Sequence, residues 1–129
     1  MLVDTSVWIE FFRKDTATSR ALETLIKAGR VVVPGIVVFE LLQGVKAAKE
    51  KGKIMDLLSN LDYMEMSKDL WASAAVLSRS LKDKGLNLPL SDVLLAAIAL
   101  KHNLPLFTLD AHFDGITEVK RYEPDTARR

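Results

Sequence analysis

At 129 residues, with 49% hydrophobic and 27% charged residues, the chain has the size and composition of one compact domain. A formal net charge of +1, no cysteine and no apolar run of the ~18–20 residues a membrane span needs exclude a disulfide scaffold, a thiolate metal site and a membrane helix. No secretory signal is expected, since a basic n-region is missing, and the cytoplasm is the expected location.

Leu2 and Val3 read as a short buried strand that ends on Asp4 and opens at once into a helix, for which Asp4, Thr5 and Ser6 are apt N-terminal residues. Residues 7–12 continue that helix, with Val7, Trp8, Phe11 and Phe12 turned inward. Ser19 is placed as the cap of a second helix carrying Leu22, Leu25 and Ile26 at helical spacing, closed by Gly29. Residues 30–33 predict a strand stopped by Pro34 and Gly35. From Ile36 a helix runs through Val37, Glu40, Leu41, Gly44, Val45 and Ala48, ending among Lys46, Lys49, Lys51 and Lys53. Ile54, Leu57, Leu58 and Leu61 continue as another helix, and the alternation over 63–66 predicts a third strand.

Residues 68–84 spell a long amphipathic helix that turns Leu70, Trp71, Ala74, Leu77 and Leu81 to the core, closed by Gly85. Ser91 is placed as the cap of a helix over 92–102, whose stretch 93–100 is apolar nearly all round and so predicted buried. Residues 105–109 predict a fourth strand ending on Asp110, and 119–122 a last one. Strands alternating with helices predict an α/β domain, a central parallel sheet flanked by helices in a Rossmann-like three-layer arrangement. The domain is expected to span 1–123, with 124–129 as a frayed tail.

Four acids, Asp4, Glu40, Asp92 and Asp110, stand in apolar settings. Singly, each has an ordinary explanation. Asp4 and Asp110 follow strands, where acids cap turns and helices, and Asp92 complements a helix dipole. Glu40 lies between Phe39 and Leu41, where an unpaired carboxylate is costly to bury, unless it joins Gln43 and Lys46 on a polar stripe. Jointly the reading changes. Like charges raise one another's pKa, so a cluster of acids calls for a cation, and Mg²⁺ or Mn²⁺ matches oxygen ligands. Such an ion lowers the pKa of a water for phosphodiester hydrolysis, and a second about 4 Å away stabilises the leaving oxygen. That chemistry needs no side-chain nucleophile, which suits this chain.

Ser6 and Thr108 each stand two residues from one of these acids, placed either to orient a carboxylate or to cap locally. His102 reads as a complement to a helix dipole and His112 as an exposed turn residue. Arg13, Lys14, Lys46 and Lys49 are candidate RNA contacts, with a solvated helix end as the equal alternative. Trp8 and Trp71 are expected in the core.

Four stretches together resemble PIN-domain proteins, and most of all the VapC-type toxins of bacterial and archaeal toxin–antitoxin pairs. They are Leu2-Val-Asp-Thr-Ser-Val-Trp-Ile9, the Glu40 helix Val37-Val-Phe-Glu-Leu-Leu-Gln-Gly44, Leu90-Ser-Asp-Val-Leu-Leu-Ala-Ala97 and Phe107-Thr-Leu-Asp-Ala-His-Phe113. The resemblance implies a Mg²⁺-dependent endoribonuclease, with Mn²⁺ able to substitute, that cuts structured RNA such as tRNA or rRNA. It implies a toxin that blocks translation, acts as a homodimer and is held by a VapB-like antitoxin. By the same resemblance Asp4 and Asp92 are the principal metal ligands, Glu40 and Asp110 complete the acid quartet, and Ser6 is the hydroxyl that follows the first acid. One departure stands out: His112 occupies a position where relatives often carry a further acid, so one metal is expected and the second is left open. The alternatives are a housekeeping RNA-processing nuclease, a non-catalytic RNA- or protein-binding module, and a phosphatase-like hydrolase attacking through Asp4. The last would want an acid at Ser6.

Overall fold

Four short strands, β1 (Leu2–Val3), β2 (Val32–Pro34), β3 (Asp62–Met64) and β4 (Leu106–Phe107), form one parallel sheet in the order β3-β2-β1-β4. The structure is a computed structural model and describes residues 1–124, so all but the first residue of the expected tail lies outside the described residues. β1 and β4 are buried at every position, as apolar runs without alternation are in a parallel sheet covered on both faces.

Six helices connect the strands: α1 (Thr5–Arg13), α2 (Ala17–Lys27), α3 (Gly35–Gln43), α4 (Ala48–Ser59), α5 (Lys68–Asp83) and α6 (Leu90–His102). A 3-10 turn, Ala111–Gly115, follows β4. The chain steps outward from β1 to β2 to β3 and then returns to the other side of β1 as β4. Parallel crossovers are right-handed, so this reversal puts α1 to α4 on one face and α5 and α6 on the other. The packing agrees: α1 contacts α2 and α3, α3 contacts α4, and α5 contacts α6.

The core follows the apolar periods. α1 buries Val7 and Trp8, and the Trp8 ring stacks on Phe12 at 5.8 Å and meets Phe11 edge-on at 5.7 Å. α6 is buried from Val93 through Ala99, as its all-round apolar surface predicts. Asn103 closes α6 in the left-handed region at φ 51°, where a short polar side chain is tolerated.

Several local expectations are corrected. Thr16, not Ser19, caps α2: Ser19 N donates to Thr16 Oγ1 at 3.2 Å while Thr16 N donates to Ser19 Oγ at 2.7 Å, a reciprocal capping box. Pro34 lies within β2 and leads directly into α3, because its extended backbone suits the residue before a helix. α3 stops at Gly44, so Lys49, Lys51 and Lys53 belong to the N-terminal half of α4, not to the end of α3. Pro89, also extended, precedes α6 in the place given to Ser91, which becomes its second residue. Trp71 is 52% exposed. α5 packs through Leu70, Ala74 and Leu81, and a residue one step past Leu70 is turned ~100° off that stripe. β3 and β4 are shorter than expected, and 119–122 contributes one parallel bridge, Leu106 to Arg121, in place of a fifth strand. No described helix is long and apolar enough to cross a membrane.

Candidate metal centre

β1 and β4 pair in register Val3 with Phe107, so the residues that follow them, Asp4 and Thr108, leave the sheet side by side. This is also where the strand order reverses, the position at which open α/β sheets bind ligands. Asp4 N donates to Phe107 O at 2.9 Å and anchors the exit of β1. Two hydroxyls then fix the carboxylate: Ser6 Oγ donates to Asp4 Oδ2 at 2.7 Å and Thr108 Oγ1 donates to the same oxygen at 2.8 Å. Each hydroxyl is held in turn, Ser6 Oγ accepting from Leu109 N at 3.1 Å and Thr108 Oγ1 from Asp110 N at 3.0 Å. Asp4 is buried, its side chain does not cap α1, and its Oδ1 has no hydrogen-bond partner among the described residues. An ordinary capping role therefore does not account for it.

The first turn of α6 brings Asp92, buried at 7% exposure, to the same rim. The turn after β4 supplies Asp110, which caps the turn by accepting from His112 N at 2.9 Å, and that cap folds His112 back over the acids. His112 Nδ1 lies 2.8 Å from Asp92 Oδ2 and 3.2 Å from Asp110 Oδ2. Ligand atoms of Asp92, Asp110 and His112 all fall within 4.8 Å of one another.

The electrostatics carry the signature of crowded acids. Burial raises the Asp92 carboxyl above its ordinary value; the hydrogen bond from His112 offsets part of this, while the charges of Asp4 and Asp110 push it further up. The hydrogen bond to Asp92, then the field of Asp110, raise the His112 imidazole. Three carboxylates thus share a rim with one half-exposed imidazole, an imbalance toward negative charge. A divalent cation relieves that imbalance, and carboxylate oxygens with one imidazole nitrogen form a donor set suited to Mg²⁺, Mn²⁺ or a later first-row metal. The residues fit such an ion.

Glu40, on α3, stands beside this group and not inside it. It is half-buried, and its Oε1 accepts from Thr5 Oγ1 at 2.8 Å, which ties it to the residue after Asp4. It lines a groove with Ile9, Phe12, Arg13 and Glu50, so a purely solvated polar stripe does not describe it. Of the basic residues singled out from sequence, Arg13 shares that groove, whereas Lys14, Lys46 and Lys49 are exposed on and between α1, α3 and α4. His102 is exposed in the last turn of α6. Sequence reasoning missed Thr5, whose contact spans 35 residues and leaves no local trace. It also gave His112 too little, although the spacing Asp110-Ala-His112 is that of a capped turn that points its third residue back.

Over residues 1–119 the chain matches the PIN domain family. It is 26% identical over 134 aligned residues to VapC ribonuclease Mb1587 of Mycobacterium bovis, with 99% of each chain covered. It is 28% identical over 120 residues to Ribonuclease VapC1 of Methanocaldococcus jannaschii, covering 92% of this chain and 82% of that protein. Among solved structures, VapBC2 from Rickettsia felis bound to a DNA fragment from the promoter superposes with a TM-score of 0.81 at 25% identity, covering 96% of this chain and 98% of that one.

Proposed function

The chain belongs to the PIN-domain family, and on that premise we propose that it is a divalent-metal-dependent endoribonuclease, the toxin of a VapBC-like toxin–antitoxin pair. The observation that carries the reading is the grouping of Asp92, Asp110 and His112 within 4.8 Å, on the rim where the buried Asp4 also leaves the sheet. In this reading Asp4 and Asp92 are the principal ligands of Mg²⁺, with Mn²⁺ as a substitute, and Asp110 and Glu40 complete the set. An ion held there would supply compensating charge and lower the pKa of a nearby water, so that hydroxide is available to attack a phosphodiester at neutral pH.

The chain's own groups do the rest. Ser6 and Thr108 hold Asp4 in one orientation, so no carboxylate reorganisation is needed when the site is filled. Glu40, held at Oε1 by Thr5, adds a fourth carboxylate beside the other three. Arg13, in the same groove, offers a guanidinium to a backbone phosphate, and the exposed Lys14, Lys46 and Lys49 extend that positive surface. The substrate is structured RNA such as tRNA or rRNA, and its cleavage blocks translation. The catalytic unit spans 1–123 and acts in the cytoplasm.

Two partners belong to the reading. A VapB-like antitoxin is supported by relatives solved as VapBC complexes. A second copy of the chain is supported by an exposed apolar face formed by Phe39, Tyr63, Trp71 and Leu90 along two grooves that share Trp71 and Leu94.

The test is incubation of total cellular RNA with purified protein and Mg²⁺ or Mn²⁺, beside EDTA and an Asp92→Asn control. Discrete fragments that vanish in both controls are expected. Cleavage that persists in Asp92→Asn, or intact RNA after incubation with folded protein and metal, overturns the reading.

A further inference from the structure

Oxygen ligands alone do not describe the rim. The position two residues beyond Asp110 is a histidine, and its Nδ1 reaches the carboxylates of both Asp92 and Asp110. In an octahedral shell with bonds of about 2.1 Å, adjacent ligand atoms lie √2 times that apart, about 3.0 Å. The separations of Nδ1 from Asp92 Oδ2 and Asp110 Oδ2, 2.8 and 3.2 Å, bracket that edge. A calcium shell, with bonds of about 2.3–2.6 Å, has a longer edge of roughly 3.3–3.7 Å and matches less well. Two edges of an octahedral face thus meet at the imidazole nitrogen, and the three ligand atoms together lie within 4.8 Å.

We propose that His112 Nδ1 is itself a ligand of the divalent ion, and that it biases the site toward Mn²⁺ and later first-row metals over Mg²⁺. This rests on the reading that the rim holds a divalent ion at all. An imidazole nitrogen suits transition metals, whereas Mg²⁺ favours oxygen throughout and dehydrates reluctantly. Ligation requires the ring proton to sit on Nε2, and the His112 side chain, 52% exposed, leaves that edge of the ring accessible to water. The turn does not depend on the ring: it is closed by the His112 backbone N–H to Asp110 Oδ1, so substitutions of the side chain leave the scaffold in place.

The experiment is pulsed EPR of Mn²⁺ bound to the full chain, together with Mn²⁺ and Mg²⁺ affinities for wild type, His112→Asp and His112→Ala. Wild type is expected to show ¹⁴N modulation from a coordinated imidazole that both variants lose. His112→Asp, which restores an oxygen donor, is expected to narrow the preference for Mn²⁺ over Mg²⁺ by roughly tenfold or more. Bound Mn²⁺ without ¹⁴N modulation overturns the inference and leaves the metal site standing. Tighter Mn²⁺ binding by His112→Ala also overturns it, because the imidazole then competes with the ion for the two carboxylates. Absence of Mn²⁺ binding to folded wild type removes the inference together with the metal reading beneath it.

Discussion

At the residue scale, the environment of Asp4 separates a ligand from a cap. Its Oδ2 takes two hydroxyls, and its side chain makes no cap bond to α1. Asp4→Asn or Asp92→Asn should therefore lower cleavage by at least about a hundredfold while leaving the metal-free melting temperature equal or higher, because each removes a charge from a repelling cluster. Melting in EDTA beside a cleavage assay reads both halves, and marked unfolding of either variant contradicts the account. Thr108→Val removes the donor to Asp4 and strands Asp110 N; metal affinity is expected to fall about 10–100-fold by calorimetry. A pH effect follows as well. Asp92 and His112 are both raised above their ordinary values of 3.8 and 6.5, so the folded protein binds these protons more tightly than the unfolded chain. Their contribution to metal-free stability is full below those ordinary values and is lost as pH rises through the folded ones. In EDTA the melting temperature should fall as pH rises above the ordinary His112 value of 6.5, with a flatter profile for His112→Ala; a rise in wild type contradicts this. The four acids were legible in the sequence because each interrupts an apolar run. His112 was not, because its role depends on a turn meeting a helix 20 residues away.

At the scale of elements, α1 is held by one side chain more than by its caps. Trp8 is fully buried and packs on Phe11 and Phe12, and Trp8→Ala should cost about 3–5 kcal/mol in a denaturant titration. Trp8 Nε1 has no hydrogen-bond partner among the described residues, so Trp8→Phe forfeits packing but none of the described hydrogen bonds and should cost distinctly less. Equal losses from the two substitutions would contradict that account of α1. The long helices were legible for two reasons: α5 shows a 3.6-residue period over more than a dozen positions, and α6 an apolar run too long for a strand. The starts of α2 and α6 were not. The residues before α3 and α6 are prolines without a side-chain cap bond, while the polar residues that look like caps sit inside the helices, as Ser19 and Ser91 do. Trp71 read as core because a large apolar residue on an amphipathic helix usually is; it lies off the stripe and lines the exposed grooves instead.

For the whole molecule, alternation of strands and helices was enough to predict a parallel sheet between helical layers. What it does not contain is the order β3-β2-β1-β4, and that order makes the site. Placing β4 against β1 sets Asp4 beside Thr108 although 104 positions separate them, and leads the chain on to Asp110 and His112. α6, returning on the opposite face, then delivers Asp92 to the same rim. The sheet thus gathers charges that no folded chain holds together without cost, and the account stands on what that arrangement is for. Calorimetric titration of Mn²⁺ into metal-free protein, wild type beside Asp92→Asn, addresses this most directly. Saturable binding by wild type that disappears in a variant melting at or above the wild-type temperature is the predicted result. Undiminished binding by the variant, or none by folded wild type, would contradict the account.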